Sequence, residues 1–113
     1  MNTLTTYNSC SDFVFKAIPH IYPTGYTVVM NCWFDFWDDR EAFAAWMADR
    51  LATCTLPPDH PLRKQLPFLR VGCCLIYNAD NLPDAEAVYD TFADPDHYYV
   101  TLWENGEITN ENT

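Results

Sequence analysis

From Tyr26 to Trp37 the chain alternates in the way a half-buried strand must. Val28, Met30, Cys32, Phe34 and Phe36 fall on one face, while Thr27, Asn31 and Asp35 punctuate the other. A second alternating run, Phe68 to Tyr77, groups Leu69, Val71, Cys73, Leu75 and Tyr77. Strands with one apolar face need a cover, and the intervening residues supply it. Asp39 to Ala52 reads as a helix with Phe43, Trp46, Met47 and Leu51 on one stripe, Asp38 as its cap and Glu41 completing a capping box. Asn81 caps a second helix, with Pro83 tolerated in the first turn and Asp84 favoured there by the helix dipole. Its apolar stripe is Ala85, Val88, Tyr89 and Phe92, and Asp94-Pro95-Asp96 stops it.

His97 to Glu104 reads as a third strand, and Asn105-Gly106 as a hairpin turn that returns Glu107 to Thr109 as a short edge strand. Asp12 to Ile18 reads as a further strand, because Phe13, Val14 and Phe15 suit a sheet and Pro19 and Pro23 end it. Pro57, Pro58, Pro61 and Pro67 make residues 54–67 a stiff loop without regular structure. The order β-β-α-β-α-β predicts one α+β domain over residues 1–113. Its form is a two-layer sandwich: a mostly antiparallel sheet of four to five strands, two helices on one face, and a frayed tail at 110–113.

With Val28, Met30, Phe34, Leu75, Val100 and Leu102 under the helices, period two sends Trp33, Trp37, Ile76, Tyr99, Thr101 and Trp103 to the opposite face. If that face is open, its aromatics are anchors for a protein partner or for a second copy of the chain. If the N-terminal segment or the proline loop lies over it, they are core.

Charge separates the two halves of the chain. The formal net charge is −10, and all six Lys and Arg residues fall within residues 1–70. Residues 71–113 carry Asp80, Asp84, Glu86, Asp90, Asp94, Asp96, Glu104, Glu107 and Glu111 with no Lys or Arg. Such a balance opposes direct nucleic-acid binding and an anionic membrane surface, both of which need cations. RNA stacking on the sheet aromatics meets the same objection. The imbalance is either a solubilising surface or a patch matched to a basic partner. Arg63, Lys64 and Arg70 weaken such a patch if they fold onto it.

No chemistry-bearing motif competes with this reading. His20, His60 and His97 lack ligand spacing, and the five cysteines (Cys10, Cys32, Cys54, Cys73, Cys74) contain no CxxC. Acidic surroundings raise a thiol pKa, so the cysteines read as small apolar residues in a reducing compartment. Three glycines, Gly25, Gly72 and Gly106, are too few and too scattered for a phosphate-binding loop. The N-terminus lacks the basic start and apolar run of a secretory signal, and the uncharged stretch 17–34 is short for a membrane span, so a cytoplasmic location is expected.

The expectation is therefore a non-enzymatic protein with no cofactor, no metal and no catalytic residue. It would occupy the basic surface of a nucleic-acid-handling protein, using Asp80, Asp84, Glu86, Asp90, Asp94, Asp96 and Glu104 with Trp33, Trp37, Tyr99 and Trp103 as aromatic anchors. Phage-borne anti-CRISPR or anti-restriction inhibitors have this make-up of size and charge. Immunity proteins against nuclease toxins share it, and a homodimeric interaction domain is a further alternative.

Overall fold

The computed structural model describes residues 14–31, 39–60, 69–71, 74–93 and 99–112. Helix α1 covers residues 14–21 and leads into strand β1, Tyr26–Asn31. Helix α2 is Arg40–Leu51, and strands β2 and β3 are Leu69–Val71 and Cys74–Ala79. Helix α3 is Leu82–Phe92, followed by β4, Tyr99–Glu104, and β5, Glu107–Glu111. The strands form one antiparallel sheet in the order β2-β3-β1-β4-β5.

Strand β1 lies at the centre, paired with β3 on one side and β4 on the other. Its residues from Thr27 to Asn31 are all buried, as expected of a strand covered on both faces. Val28, Met30, Leu75, Tyr77, Val100 and Leu102 pack against Met47 of α2 and Ala85, Val88, Tyr89 and Phe92 of α3. The Trp46 and Phe92 rings lie 5.9 Å apart where the two helices meet. Each such fully buried side chain stabilises the fold by roughly 1.5–3 kcal/mol. Both predicted apolar stripes are therefore the stripes in use.

Helix α1 corrects the reading of Asp12 to Ile18 as a strand. Val14 and Ile18, one turn apart, are buried with Val29, Cys74, Ile76 and Trp103 on the other sheet face, and Phe15 and Tyr22 pack beside them. The α+β class holds, and the sheet carries one more helix than expected, on the face left open in the sequence reading. Cys74 is a fully buried part of this layer.

Three further expectations change. The run Phe68 to Tyr77 is two strands, because Val71 pairs with Cys74 and Leu69 with Ile76 in an antiparallel hairpin. Asp39, rather than Asp38, caps α2, its side chain accepting from the Ala42 N–H at 3.0 Å. The tail is not frayed at 110–112: β5 runs to Glu111, and Asn112 accepts from the Val100 N–H through its side chain at 2.9 Å.

The turn at Asn105-Gly106 forms as expected, with φ of 53° and 80°. It is tied to the loop before β1: the Gly25 N–H donates to Asn105 Oδ1 at 3.0 Å, and the Asn105 N–H donates to the Gly25 carbonyl at 2.9 Å.

Candidate functional site: an acidic groove between α3 and the β4–β5 hairpin

Helix α3 starts where its sequence demands. The Asn81 side chain accepts from the Asp84 N–H at 2.9 Å, and its amide donates to Asp84 Oδ2 at 3.2 Å. Asp84 also meets His60 Nε2 at 3.1 Å, a pairing that nothing in the sequence spacing signals. Asp84 thus serves the helix start and the docking of the 57–60 turn, and its carboxylate is largely withdrawn from any outward-facing set.

The next acidic residues behave differently. Glu86 and Asp90 lie one turn apart and are exposed. Across from them stands Glu104, the half-buried last residue of β4. The β4–β5 ladder slips between Leu102 and Trp103, so that Leu102 faces Asn110 while Trp103 faces Ile108. Thr109 is the extra residue of this bulge, and its hydroxyl donates to the Leu102 carbonyl at 3.3 Å. In a regular strand Thr109 and Asn110 point to opposite faces. Here both line a groove of about 270 Å³, together with Leu82, Leu102, Tyr89, Glu86, Asp90 and Glu104.

Among the described residues, no Lys, Arg or His lines that groove. Arg50 reaches α3 at its other end, where Nη2 and Nε donate to the Thr91 carbonyl at 2.9 and 3.3 Å. It covers a carbonyl in the last turn and is not among the residues that line the groove. Glu104 stands directly opposite Glu107 in the hairpin, a like-charge cross-strand pair of the kind that destabilises a sheet. Burial, then the charge of Asp90 and that of Glu111, push the Tyr89 phenol above its ordinary pKa. Among the described residues, the charge gathered at this edge is therefore negative.

Of the anticipated acidic residues, the structure brings Glu86, Asp90 and Glu104 together, sets Asp80 exposed just before the α3 cap, and engages Asp84 elsewhere. Asp94 and Asp96 lie outside the described residues, as do Arg63 and Lys64.

Of the four expected aromatic anchors, Tyr99 and Trp103 are described, and both are engaged within the fold. Trp103 is 5% exposed, donates its indole N–H to Thr101 Oγ1 at 2.8 Å, and meets the Phe15 ring edge-on at 5.4 Å. Tyr99 is half-buried, with Phe15 at 6.1 Å and its hydroxyl on Glu111. Neither is a free anchor, because α1 covers the face they occupy. Trp33 and Trp37 lie outside the described residues. The signal that reveals α1 is Val14, Phe15, Ile18, Ile21 and Tyr22, an i, i+1, i+4, i+7, i+8 pattern of helical period. Tyr89, Thr109 and Asn110 also went unanticipated in the groove. The two polar residues come from a bulge, which carries no short-range sequence signature.

Among the described residues no group of His, Cys, Asp and Glu side chains gathers as a metal site, and no helix is long and apolar enough to cross a membrane. Comparison with family models, curated proteins and solved structures finds no match to this chain.

Proposed function

We propose that this chain is a non-enzymatic, cytoplasmic inhibitor whose carboxylates occupy the basic nucleic-acid-binding surface of a partner protein. The reading is of the anti-CRISPR or anti-restriction kind borne by phages and mobile elements. The observation that carries it is the convergence of Glu86, Asp90 and Glu104 on one groove with no cation among its described lining residues. Exposed Asp80 and Glu107 extend the negative charge along the neighbouring α3 and β5 elements. A surface built to hold phosphates also holds carboxylates, and long-range attraction accelerates the encounter. The like-charge pair Glu104–Glu107 adds support, since a hairpin selected for stability alone avoids it. An immunity protein against a nuclease toxin would use the same chemistry. Helix α1 packs over Trp103 on the aromatic sheet face, which favours the inhibitor reading over a homodimer through that face.

The test is DNA cleavage by purified CRISPR effectors and restriction enzymes, with a nuclease toxin as comparator, in the presence of this chain. The expected result is inhibition that weakens steeply with salt and is relieved by excess DNA. Replacing Asp80, Glu86, Asp90 and Glu107 together by Lys is expected to abolish it while leaving the thermal melt nearly unchanged. Neutralisation of the toxin alone would reassign the chain to the immunity class. No effect on any of these proteins would remove the reading.

A further inference from the structure

We infer that the groove between α3 and the β4–β5 hairpin is a receptor for a single arginine side chain of a protein partner. This deepens the reading above and rests on it for the identity of that partner as a basic protein.

Two independent observations meet here. The first is the lining. Leu82 and Leu102 supply an apolar floor, and Glu86, Asp90 and Glu104 supply acceptors from α3 on one wall and from β4 on the other. The second is Tyr89. It is 7% exposed, it lines the groove, and its hydroxyl has no hydrogen-bond partner among the described residues. Buried hydroxyls are nearly always bonded, so an unbonded one on a buried residue that lines a groove points to a place that something polar completes. The raised Tyr89 pKa keeps the phenol neutral, with its oxygen still able to accept a hydrogen bond.

An arginine fits both observations. Its methylene stem lies along apolar surface while the charged end stays at the polar rim. Its planar fork presents five donors, which can serve carboxylates on two walls and a phenol oxygen at once. A lysine ammonium is a compact point charge that reaches one such acceptor group well and the others poorly. The bulge at Thr109 matters for the same reason, since it places two successive polar side chains on the groove side of an edge strand.

The experiment uses the full chain, isotope-labelled, titrated with three capped tripeptides, Gly-Arg-Gly, Gly-Lys-Gly and Gly-citrulline-Gly, and followed by amide chemical shifts. Saturable shifts centred on Asp90, Leu102, Thr109 and Asn110 are expected with the arginine peptide. Lysine is expected to bind more weakly, and citrulline, the uncharged isostere, not at all. Asp90→Asn and Glu104→Gln are each expected to weaken binding about threefold, the range of a solvent-accessible ion pair. Tyr89→Phe is expected to weaken it by about twofold for loss of one acceptor. Unchanged amide spectra away from the groove establish that each variant is folded. Shifts that never saturate, equal binding of lysine or citrulline, or shifts centred on Asp39 and Glu41 of α2 would overturn the assignment. If the peptide fails while the fourfold Lys variant still loses nuclease inhibition, the groove falls and the inhibitor reading stands. If the peptide binds the groove and no basic nuclease is inhibited, the groove stands and the inhibitor reading falls.

Discussion

The Tyr99 hydroxyl donates to Glu111 Oε2 at 2.6 Å, which fastens the first residue of β4 to the last residue of β5. The bond closes the open end of the hairpin, while Asn105-Gly106 closes the other. Burial first, then the hydrogen bond and charge of Glu111, push the Tyr99 phenol up to about 12 from an ordinary value of 10.0.

A raised acid makes stability depend on alkaline pH. The unfolded phenol ionises near 10.0 and the folded one near 12, so this contribution is complete below pH 10.0 and is lost as pH rises through about 12. An ultraviolet absorbance titration is expected to show a late tyrosine phase. Tyr99→Phe should remove that phase, and Glu111→Gln should shift it toward the ordinary value. A late phase that survives Tyr99→Phe would show that another tyrosine produces it.

Trp103 and Thr101 form a buried polar pair under α1, with Thr101 fully buried and also donating to the Val29 carbonyl at 3.3 Å. Thr101→Val leaves the indole N–H without its acceptor and is expected to cost about 1–3 kcal/mol in a denaturant titration. Trp103→Ala opens a cavity and is expected to cost about 3–5 kcal/mol. A near-neutral Trp103→Ala would mean that the residue is at the surface.

Two glycines of positive φ differ in their surroundings. A Cβ at Gly106 would sit 3.2 Å from Pro19 Cα in α1, whereas one at Gly25 meets nothing within 4 Å. Both changes to Ala carry the backbone strain of about 1–3 kcal/mol. Gly106→Ala is expected to cost measurably more than Gly25→Ala, because only it displaces α1 from the hairpin turn. Equal melting temperatures for the two variants would separate the turn from the helix.

Glu107 is the inexpensive place to relieve like-charge repulsion. Glu107→Lys sets opposite charges across the hairpin from Glu104 and is expected to stabilise the fold by about 0.2–1 kcal/mol. The gain should shrink at high salt, because Glu107 is exposed and Glu104 only half-buried. A gain that persists in high salt would have some other origin.

The parts of the fold that were legible in the sequence are those with a strong local period or a chemical cap. The stripes Phe43-Trp46-Met47-Leu51 and Ala85-Val88-Tyr89-Phe92, the Asn81 cap and the Asn105-Gly106 turn all appear where their residues place them. Alternation also sorted Val28, Met30, Leu75 and Leu102 from Ile76 and Trp103. Residues 14–21 misled because β-branched Val14 and the flanking aromatics favour a strand by composition, while burial against Val29 and Ile76 rewarded the helical spacing of Val14 and Ile18. Gly72 was the neglected signal for dividing the run 68–77, since a glycine between two apolar strand segments is a common turn former. For the candidate site, the charge bias named Glu86, Asp90 and Glu104. Composition has no way to register that Asp84 is claimed by Asn81 and His60.

Helices on both sides of the sheet leave architecture and surface charge to separate sets of residues. The side chains that hold α1, α2 and α3 in place are apolar and enclosed, and the exposed acids Asp80, Glu86, Asp90 and Glu107 contribute little to them. Substitutions at such exposed positions typically change stability by no more than about 0.5 kcal/mol. Natural selection can therefore redraw the electrostatic outline of this molecule repeatedly without reopening the question of how the chain folds.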